Sequence, residues 1–460
     1  MSNWTFDLTP QNVPPVSTRW RRIATALPVP ESLPLFASLD GTESVSMHGQ
    51  MPIVWDKAEG CQVFDPWGNT WIDFTSTIFL ANAGHGHPEV VKAIRRCLDK
   101  PLLHTYSYAN QERISYLKTL IDAAPANMEK AFLLSAGTEA TECALKLMRL
   151  YGKHKKKRRL GLVCFEGNWH GRTMGAQMMS HNPGQKEWIG YLDPNIHHLP
   201  FPYPWRDIQN PARYFTQSLE ALCREKELDP RHDICGFMLE TFQGWAAAFY
   251  PPEFVRAIRA LADSVDALVA FDEMQSGFGR TGKLFGFEHY GVKADILCCG
   301  KGISSSLPLS AVIASREVMD LPDIGSMSST HSANPMACAG AEASLRVILE
   351  EKLSERSAAL GEHMHKRLNE MRGKYAAGLS HVLGQGLIAG LHFNTGDARP
   401  LPALATAICE KAMRQGLILV HTGRESIKIG PPLTIPQEAL DEGLDVLDVC
   451  IAEAVEAAAL

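Results

Sequence analysis

The feature that most limits the fold of this chain is an alternation of short apolar segments with segments of helical periodicity, which begins near residue 88. The apolar segments read AFLLS, LGLVCF, GFMLE, ALVAFDE, ADILCCG and SAVIAS, and helical patterns such as EATECALKLMRLY and PPEFVRAIRALADSV lie between them. Strands that alternate with helices of this length are typical of βαβ units. The alternation therefore predicts an α/β fold with a mostly parallel sheet whose strands are buried on both faces.

The segments on either side of this alternation have different patterns. The first thirty or so residues are rich in Pro, Ser and Thr, and residues 54–74 form a pattern of short alternating strands around the turn DPWGN. Long helices with a few strands follow the sequence NPMACAGAEASLRVILEEKL. We therefore predict an N-terminal arm with small-domain strands over residues 1–74, a large domain over residues 75–335 and a C-terminal small domain over residues 336–460.

Charge and composition exclude several classes of protein. The formal net charge of −6 gives no general attraction to nucleic acid. The basic run Lys153–Arg159 has no interleaved aromatic residues, so we interpret it as a solvated loop. No apolar segment approaches the roughly 18–20 residues that cross a bilayer, and the N-terminus shows no secretory signal. We expect neither a nucleic-acid partner nor a membrane association.

The cysteine and histidine patterns predict a reduced protein without a metal site. The eleven cysteines are odd in number and contain no CxxC pair, which favours a cytoplasmic location over a disulfide framework or a zinc site. The histidines at positions 85 and 87, and the adjacent pair at 197 and 198, lack a third ligand at helical spacing. We interpret both pairs as loop histidines and expect no bound metal.

Ionisable residues end three of the predicted strands. GFMLE ends in Glu240, ALVAFDE ends in Asp272 and Glu273, and ADILCCG runs directly into Lys301. In open α/β sheets, ligands bind outside the carboxyl ends of the strands. A purely structural account does not predict charged groups at three equivalent positions, so we expect a site at this edge.

The residue types at this edge indicate one cofactor. A lysine amine can form a Schiff base with an aldehyde, and an aspartate can keep a pyridinium nitrogen protonated. Gly137 and Thr138 lie where a helix begins, an arrangement suited to a phosphate, and Trp169 supplies a flat aromatic ring. Each feature alone has a structural alternative: a strand-end lysine that reaches water, a threonine N-cap or an indole that covers the core. Together, Lys301, Asp272 and these residues predict pyridoxal 5'-phosphate.

Five longer segments resemble successive motifs of one enzyme family. SAGTEATECALKLMR, FEGNWHGRT, FDEMQSGFGRTG, GKGISSSLPLSAV and STHSANPMACA are similar to those of the class III aminotransferases, which include the 4-aminobutyrate and ornithine aminotransferases. The resemblance extends from about residue 50 to the end of the chain. It implies a fold type I pyridoxal-phosphate-dependent transferase: a large domain with a mostly parallel seven-stranded sheet, a smaller α+β domain and an active site at a homodimer interface.

The resemblance also implies roles for individual residues. The positions that match cofactor-binding residues of the family are Lys301, Asp272, Gln275, Gly137, Thr138, Trp169, Glu240 and Thr330. Lys301 matches the Schiff-base lysine and Asp272 matches the partner of the pyridine nitrogen. Gln275 matches a residue near the ring hydroxyl, and Glu240 matches a glutamate behind the cofactor.

The other cofactor positions carry departures from the family pattern. Gly137 and Thr138 match the phosphate loop, and Trp169 stands where a stacking tyrosine or phenylalanine is more usual. Thr330 matches a phosphate-binding threonine that the partner subunit contributes. The family prefers phenylalanine and glycine near this threonine, whereas this chain has histidine and alanine at positions 331 and 333.

The substrate pocket implied by the resemblance also departs from the family. Arg172 matches an arginine that binds the distal carboxylate of the amino donor, and Ile78 matches the apolar wall of the same pocket. An arginine that binds the α-carboxylate is replaced by Lys428, which cannot form a bidentate fork, and its glutamate gate is replaced by Trp245. Arg424 is either a substitute for that arginine or a solvent-exposed loop residue.

We therefore predict an aminotransferase that moves an amino group from an amine or ω-amino acid to a 2-keto acid by a ping-pong mechanism, with Lys301 as the general base and acid. The changed Trp245 and Lys428 positions leave open a pyridoxal-phosphate-dependent epimerase, racemase or lyase. A nicotinamide oxidoreductase is a weaker alternative, since Gly277–Gly282 spells GxGxxG without a following helical pattern. The sequence also leaves open a binding protein that has lost its activity.

Overall fold

The computed structural model describes residues 5–460, and in it the chain forms two compact units. The larger unit contains residues 88–244 and 248–354. The smaller unit contains residues 5–87, the short segment Trp245–Ala247 and the segment Glu355–Leu460. The division into domains at residues 75 and 336 stays a prediction.

A seven-stranded sheet forms the centre of the larger unit. Its strands, in spatial order, are Lys130–Leu134, Ser310–Ala314, Ile296–Cys299, Leu268–Asp272, Ile234–Glu240, Gly161–Phe165 and Ile196–Leu199. Ser310–Ala314 is antiparallel to both of its neighbours, and the other pairings are parallel. The predicted mostly parallel seven-stranded sheet is therefore confirmed. Its five interior strands are buried along their whole length, as expected of apolar strands covered on both faces.

The larger unit also contains helices, which precede, separate and follow its strands along the chain. They are Pro88–Leu98, Gln111–Ala123, Gly137–His154, Met174–Met179, Pro211–Lys226, Pro230–Asp233, Pro252–Val265, Arg316–Met319 and Pro335–Glu350. Several begin with proline at the first helical position, where its missing N–H removes no intrahelical bond. The side chains of Asn110, Asn210 and Asn334 accept hydrogen bonds from first-turn amides of the helices that follow them. A short antiparallel pair, Phe242–Gln243 with Ala248–Phe249, completes the unit.

The basic run Lys153–Arg159 is mostly exposed, as predicted, but two of its residues hold the fold together. Lys157 Nζ donates to the carbonyl oxygens of Arg231 and Val265 at 2.6 and 2.5 Å. Arg158 forms an ion pair of 2.9 Å with the buried carboxylate of Asp233. The run therefore anchors the connection that leads into strand Gly161–Phe165.

Two sheets and four helices form the smaller unit. The first sheet contains Val16–Ser17, Arg22–Ile23, Thr70–Asp73, Gln62–Phe64 and Lys57–Glu59, with Leu417–Ile418 paired in parallel to Thr70–Asp73. The second sheet is antiparallel and contains Leu379–Gly384, Ala389–Phe393, Ser426–Ile429 and Val420–His421. The helices are Leu33–Thr42, Leu353–Lys374, Pro402–Arg414 and Gln437–Ala457; the first two residues of Leu353–Lys374 belong to the larger unit. The hairpin predicted around DPWGN is confirmed by the antiparallel pairing of Gln62–Phe64 with Thr70–Asp73.

The turn Ser76–Phe79 in the smaller unit is left-handed. Its four residues have φ angles of 46°, 51°, 60° and 69°, a region that residues other than glycine rarely adopt. The Ser76 hydroxyl donates to the carbonyl oxygen of Gly430 at 2.7 Å, which fixes one end of the turn. A Cβ atom at Gly430 would collide with the Phe79 ring, so a glycine is required there.

No helix within residues 5–460 has the length and apolar character needed to cross a membrane. No group of His, Cys, Asp or Glu side chains in this part of the chain is arranged to hold a metal ion. The eleven cysteines are all free thiols, and all but Cys223 are buried.

Candidate active site

The strand ends predicted to carry ionisable groups lie side by side in the larger unit. Asp272 is the register partner of Glu240 on one neighbouring strand and of Cys298 on the other. Lys301 follows Cys298 by three residues, just beyond the end of its strand. Because these strands are parallel, their carboxyl ends meet at the same edge of the sheet.

A histidine that the sequence analysis did not assign to the site contacts Asp272. His170 Nδ1 lies 2.9 Å from Asp272 Oδ2, and both side chains are buried. Since an ionised carboxylate only accepts, Nδ1 carries the hydrogen of this bond. Asp272 Oδ1 accepts a second bond from the Met274 amide at 3.0 Å. A carboxylate has about four acceptor positions, so Asp272 can accept a further N–H.

Lys301 has a left-handed backbone conformation and a side-chain amine with a lowered pKa. It is the first residue of the turn Lys301–Ile303, and its φ angle is 45°. Burial lowers the pKa of the Lys301 amine below its usual 10.5, while the nearby carboxylates of Asp272 and Glu240 oppose this change. A lowered pKa increases the fraction of neutral, nucleophilic amine near neutral pH.

Two glycines bring the predicted phosphate loop close to Lys301. A Cβ atom at Gly137 would lie 2.9 Å from Met274 Sδ, and one at Gly300 would collide with the same sulfur. Both backbones therefore pack directly against Met274, which follows Asp272 by two residues. This packing brings the residue before Lys301 next to the start of the helix Gly137–His154.

The N-terminus of the helix Gly137–His154 has the features of an anion site. The Glu139 carboxylate accepts from the amides of Ser135 and Ala136 at 2.7 and 2.9 Å, which turns the chain into the helix. The first N–H groups of a helix lack intrahelical acceptors, and the helix dipole favours negative charge at this end. The Thr138 hydroxyl, one residue further, lies 2.6 Å from the Thr173 hydroxyl.

The structure brings Trp169, Arg172, Glu240 and Gln275 together beside this edge. The Arg172 guanidinium carbon lies 4.5 Å from the centre of the Trp169 ring, and Arg172 is otherwise exposed. The Trp169 amide donates to Glu240 Oε2 at 2.9 Å, and the Gly244 amide donates to Glu240 Oε1 at 3.3 Å. A Cβ atom at Gly244 would collide with the Gln275 amide, so this side chain packs against the same glycine.

Thr330 is not bonded to the phosphate loop of its own chain. Within residues 5–460, no hydrogen bond joins it to Gly137 or Thr138, and its side chain is exposed. Its loop is held instead by the Asn334 amide, which donates to the Leu103 carbonyl oxygen at 2.5 Å. Ala333, where the family prefers glycine, adopts a φ angle of 53°.

The remaining substrate residues predicted from the sequence belong to the smaller unit. The Arg424 guanidinium carbon lies 3.8 Å from the centre of the Trp245 ring, a cation–π contact. His392 also contacts Trp245: the two rings pack edge-on, with their centres 5.6 Å apart. Its Nε2 donates to the Ala246 carbonyl oxygen at 2.9 Å. Burial lowers the pKa of His392 to about 4, so the ring is neutral at physiological pH.

Lys428 and Ile78 also lie in the smaller unit. Lys428 is buried on the strand Ser426–Ile429, and its Nζ lies 4.8 Å from the centre of the Phe79 ring. Ile78 is exposed on the left-handed turn beside Phe79. The chain therefore places a lysine, not a bidentate arginine, next to the turn that carries the predicted apolar wall.

Comparison with known proteins identifies the family. The family described as "Aminotransferase class-III" matches residues 44–451. The chain belongs to the class III aminotransferases. It therefore has the fold of the pyridoxal-phosphate-dependent transferases of fold type I, and its family transfers amino groups between an amine and a keto acid with this cofactor.

Individual relatives agree with this assignment. The chain is 31% identical to the mitochondrial ornithine aminotransferase of Arabidopsis thaliana over 91% of this chain and 85% of that protein. It is 32% identical to an alanine/serine racemase of Pyrococcus horikoshii over 87% of this chain and 86% of that protein. A solved (S)-enantioselective omega-transaminase from Thermomicrobium roseum is 27% identical, with a TM-score of 0.82 over 92% of this chain and 98% of that one. The family match and the aminotransferase relatives favour transamination over racemisation.

Proposed function

We propose that this class III aminotransferase takes its amino group from an amine or an ω-amino acid and passes it to a 2-keto acid. The observation that carries the proposal is the buried Asp272–His170 pair at the strand edge that also presents Lys301. The ornithine aminotransferase and omega-transaminase relatives support an amino group remote from a carboxylate as the group transferred.

The residues at this edge fit pyridoxal 5'-phosphate. The open N-terminus at Gly137 and Thr138 suits its phosphate, Lys301 suits its aldehyde, and Asp272 has acceptor capacity left for its ring nitrogen. Trp169, Gln275 and Glu240 would line the remaining sides of the ring. When bound, the cofactor supplies an electron sink that stabilises negative charge on the substrate carbon.

The chain's own residues would handle the protons of the reaction. Lys301 Nζ would take a proton from the substrate carbon and return it at a second position, acting as general base and then as general acid, which its lowered pKa favours. Asp272 holds a proton at the ring nitrogen, and His170 keeps the carboxylate oriented through its 2.9 Å bond. The same groups act in reverse on the keto acid.

The substrate contacts are assigned by charge. We assign the distal carboxylate of the donor to Arg172; a contact of Ile78 with its methylene chain is implied by the family resemblance. The keto-acid carboxylate is assigned to Arg424 because its exposed guanidinium rests on Trp245 and pairs only loosely with Glu425, at 3.5 Å. Lys428 adds a buried positive charge to the same unit.

An apolar surface near the Thr330 loop supports a homodimer. Six apolar side chains are exposed on the segment that contacts this loop through Leu103: Leu98, Leu102, Leu103, Tyr106, Tyr108 and Ile114. Adjacent exposed apolar residues indicate a protein partner. We propose that a second copy covers them and that Thr330 completes the phosphate site of that copy. We also propose a cytoplasmic location because every cysteine is a free thiol.

The first test compares Lys301→Ala with Lys283→Ala, an exposed lysine of the GRTGK segment. Lys301→Ala should lose the visible absorbance of bound cofactor and all turnover, whereas Lys283→Ala should keep both. The second test adds amines alone to the wild-type protein: a transaminase loses its visible band and releases one equivalent of carbonyl product. Full activity of Lys301→Ala, or product without loss of the band, would contradict the proposal.

A further inference from the structure

Three side chains of the phosphate-binding helix form a polar ledge. Thr138, Thr141 and Glu142 are spaced i, i+3 and i+4, so they lie on one face of the helix Gly137–His154. This polar ledge contacts the segment of residues 169–176, here called the substrate loop, which carries Trp169, His170 and Arg172. In the sequence, Thr141 and Glu142 are the last two residues of EATE, within a helix whose inner face is apolar.

Glu142 makes most of the contacts to the substrate loop. Its Oε1 accepts from the Thr173 hydroxyl at 2.7 Å, from the Gly175 amide at 2.8 Å and from the Ala176 amide at 3.1 Å. Oε2 also faces the loop, since a Cβ atom at Gly175 would lie 2.5 Å from it. Hydrogen bonds to a carboxylate are roughly twice as strong as those between neutral groups. One side chain therefore fixes three donors within the four residues that follow Arg172.

The two threonines of the ledge fix the other end of the loop. The Thr141 hydroxyl donates to the His170 carbonyl oxygen at 2.7 Å. Gly171, whose φ angle is 137°, lies so close to Thr138 that a Cβ atom would collide with its hydroxyl. Because Thr173 uses its one hydroxyl hydrogen on Glu142, Thr138 is the donor in the 2.6 Å bond between them. Thr138 therefore donates to Thr173, and Thr173 donates to Glu142.

Arg172 itself makes no bond to the ledge. Its guanidinium stacks on Trp169, and its side chain is exposed. Its position depends on the backbone on either side, which Thr141 holds at residue 170 and Glu142 holds at residues 173–176. Arg172 is thus an exposed charge on a loop whose two ends are fastened to the helix that begins at the phosphate loop.

We propose that Glu142 is a positioning residue: it fixes the loop that carries Arg172, and Arg172 binds a substrate carboxylate. This inference rests on the proposed function, because it assumes that Arg172 binds the distal carboxylate of the donor. Without Glu142 the loop would lose the three bonds that hold residues 173–176 and keep only those of the two threonines, so the guanidinium would have to be ordered at each binding event. Affinity for donors with a carboxylate would fall, while donors without one would be unaffected.

The test uses two amines that differ only at the end remote from nitrogen, 4-aminobutyrate and n-butylamine. The concentration of each that gives half the maximal rate of loss of the cofactor band is measured for wild type and Glu142→Gln. We expect this concentration to rise about tenfold for 4-aminobutyrate in Glu142→Gln and to change less than about twofold for n-butylamine, with similar limiting rates. Glu142→Asp should restore part of the loss.

A second measurement does not depend on turnover. Hydrogen–deuterium exchange of the Gly175 and Ala176 amides should accelerate about tenfold in Glu142→Gln, because a neutral amide oxygen is a weaker acceptor than the carboxylate that now holds both amides. Glu139→Gln is the matched control: Glu139 lies one turn earlier on the same helix but accepts from Ser135 and Ala136. It should weaken cofactor retention while leaving the 4-aminobutyrate to n-butylamine ratio and the loop amides unchanged.

The measurements distinguish a failure of the role of Glu142 from a failure of the proposed function. A wild-type protein that distinguishes the two amines, with a Glu142→Gln variant that keeps the same ratio, overturns the role of Glu142 alone. Equal effects of Glu142→Gln and Glu139→Gln on the ratio also overturn it, because they indicate general damage to the helix. A wild-type protein whose cofactor band responds to neither amine contradicts the proposed function, and the role of Glu142 then fails with it.

Discussion

The Arg424 guanidinium carbon lies 3.8 Å from the centre of the Trp245 indole ring. The family resemblance leads one to expect a glutamate at position 245, which would hold an arginine by opposite charge. An indole instead holds it through the ring quadrupole, a contact worth about 0.5–1 kcal/mol at exposed sites. Arg424 thus keeps a charge that is only loosely paired, with Glu425 at 3.5 Å, and that can bind a carboxylate.

Arg424→Met should impair binding of the keto acid more than turnover. Loss of a charge-assisted bond to the carboxylate costs about 1.5–3 kcal/mol, so KM for 2-oxoglutarate or pyruvate should rise about 10-fold or more, with kcat little changed. Steady-state kinetics at saturating amine measure this change. Arg399→Met, an exposed arginine of the same unit, is the control and should behave as wild type. Equal KM values for the two variants would remove Arg424 from the site.

His170→Leu should weaken the interaction of Asp272 with the cofactor's ring nitrogen. The variant removes the donor that orients Asp272 through the 2.9 Å bond. We expect kcat to fall about tenfold or more, and the absorbance of the bound cofactor to change its pH dependence, an effect that lost packing alone would not produce. His181→Leu removes a neighbouring ring that makes no bond to Asp272 and serves as the control. An unaltered spectrum and kcat in His170→Leu would contradict this role.

Asp272→Asn should lower the pKa of Lys301 further. Burial already lowers this pKa and the Asp272 carboxylate opposes the change, so its removal leaves burial less opposed. Competitive labelling of cofactor-free protein with acetic anhydride, followed by mass spectrometry, gives the titration midpoint of Lys301. We expect a wild-type midpoint below 10.5 and a lower one in Asp272→Asn. Asp320→Asn, which pairs with Lys130 at the surface, should leave the midpoint unchanged.

His392 should make the protein sensitive to acid. Its pKa is lowered from 6.5 to about 4 by burial, so between these values the unfolded chain binds a proton that the folded chain does not. The free energy of unfolding therefore falls as the pH falls through this window, by about 3 kcal/mol in full from this group. Urea unfolding of His392→Gln between pH 7 and pH 5 should show a smaller loss than wild type, by about 2 kcal/mol. An equal loss would assign the acid sensitivity to other groups.

The positions of Lys301, Asp272 and Glu240 were predictable because buried parallel strands are recognisable as apolar runs. A charged residue at the end of such a run marks the edge where parallel strands finish. Strand order was not predictable, since the pairing of Asp272 with Glu240 and Cys298 depends on how the crossovers wind. The antiparallel strand Ser310–Ala314 likewise has the same apolar pattern as its parallel neighbours.

The roles of His170 and Glu142 were not predictable from local pattern. His170 is 102 residues from Asp272 in the chain, and nothing near either residue indicates their contact. Glu142 is far from the substrate loop in sequence, so its three bonds to that loop require the fold to be known. Assignments that depend on a second copy of the chain, such as that of Thr330, stay predictions.

The parallel pairing of Leu417–Ile418 with Thr70–Asp73 sets an order of events during synthesis. The buried Trp71 indole likewise donates to the Met413 carbonyl oxygen at 2.8 Å, a partner made some 340 residues later. At translation rates of roughly 5–20 residues per second, this strand waits roughly 20–70 s for these two late partners. Residues 88–354 are synthesised in that interval, so the N-terminal strands stay without these partners until the larger unit has been made.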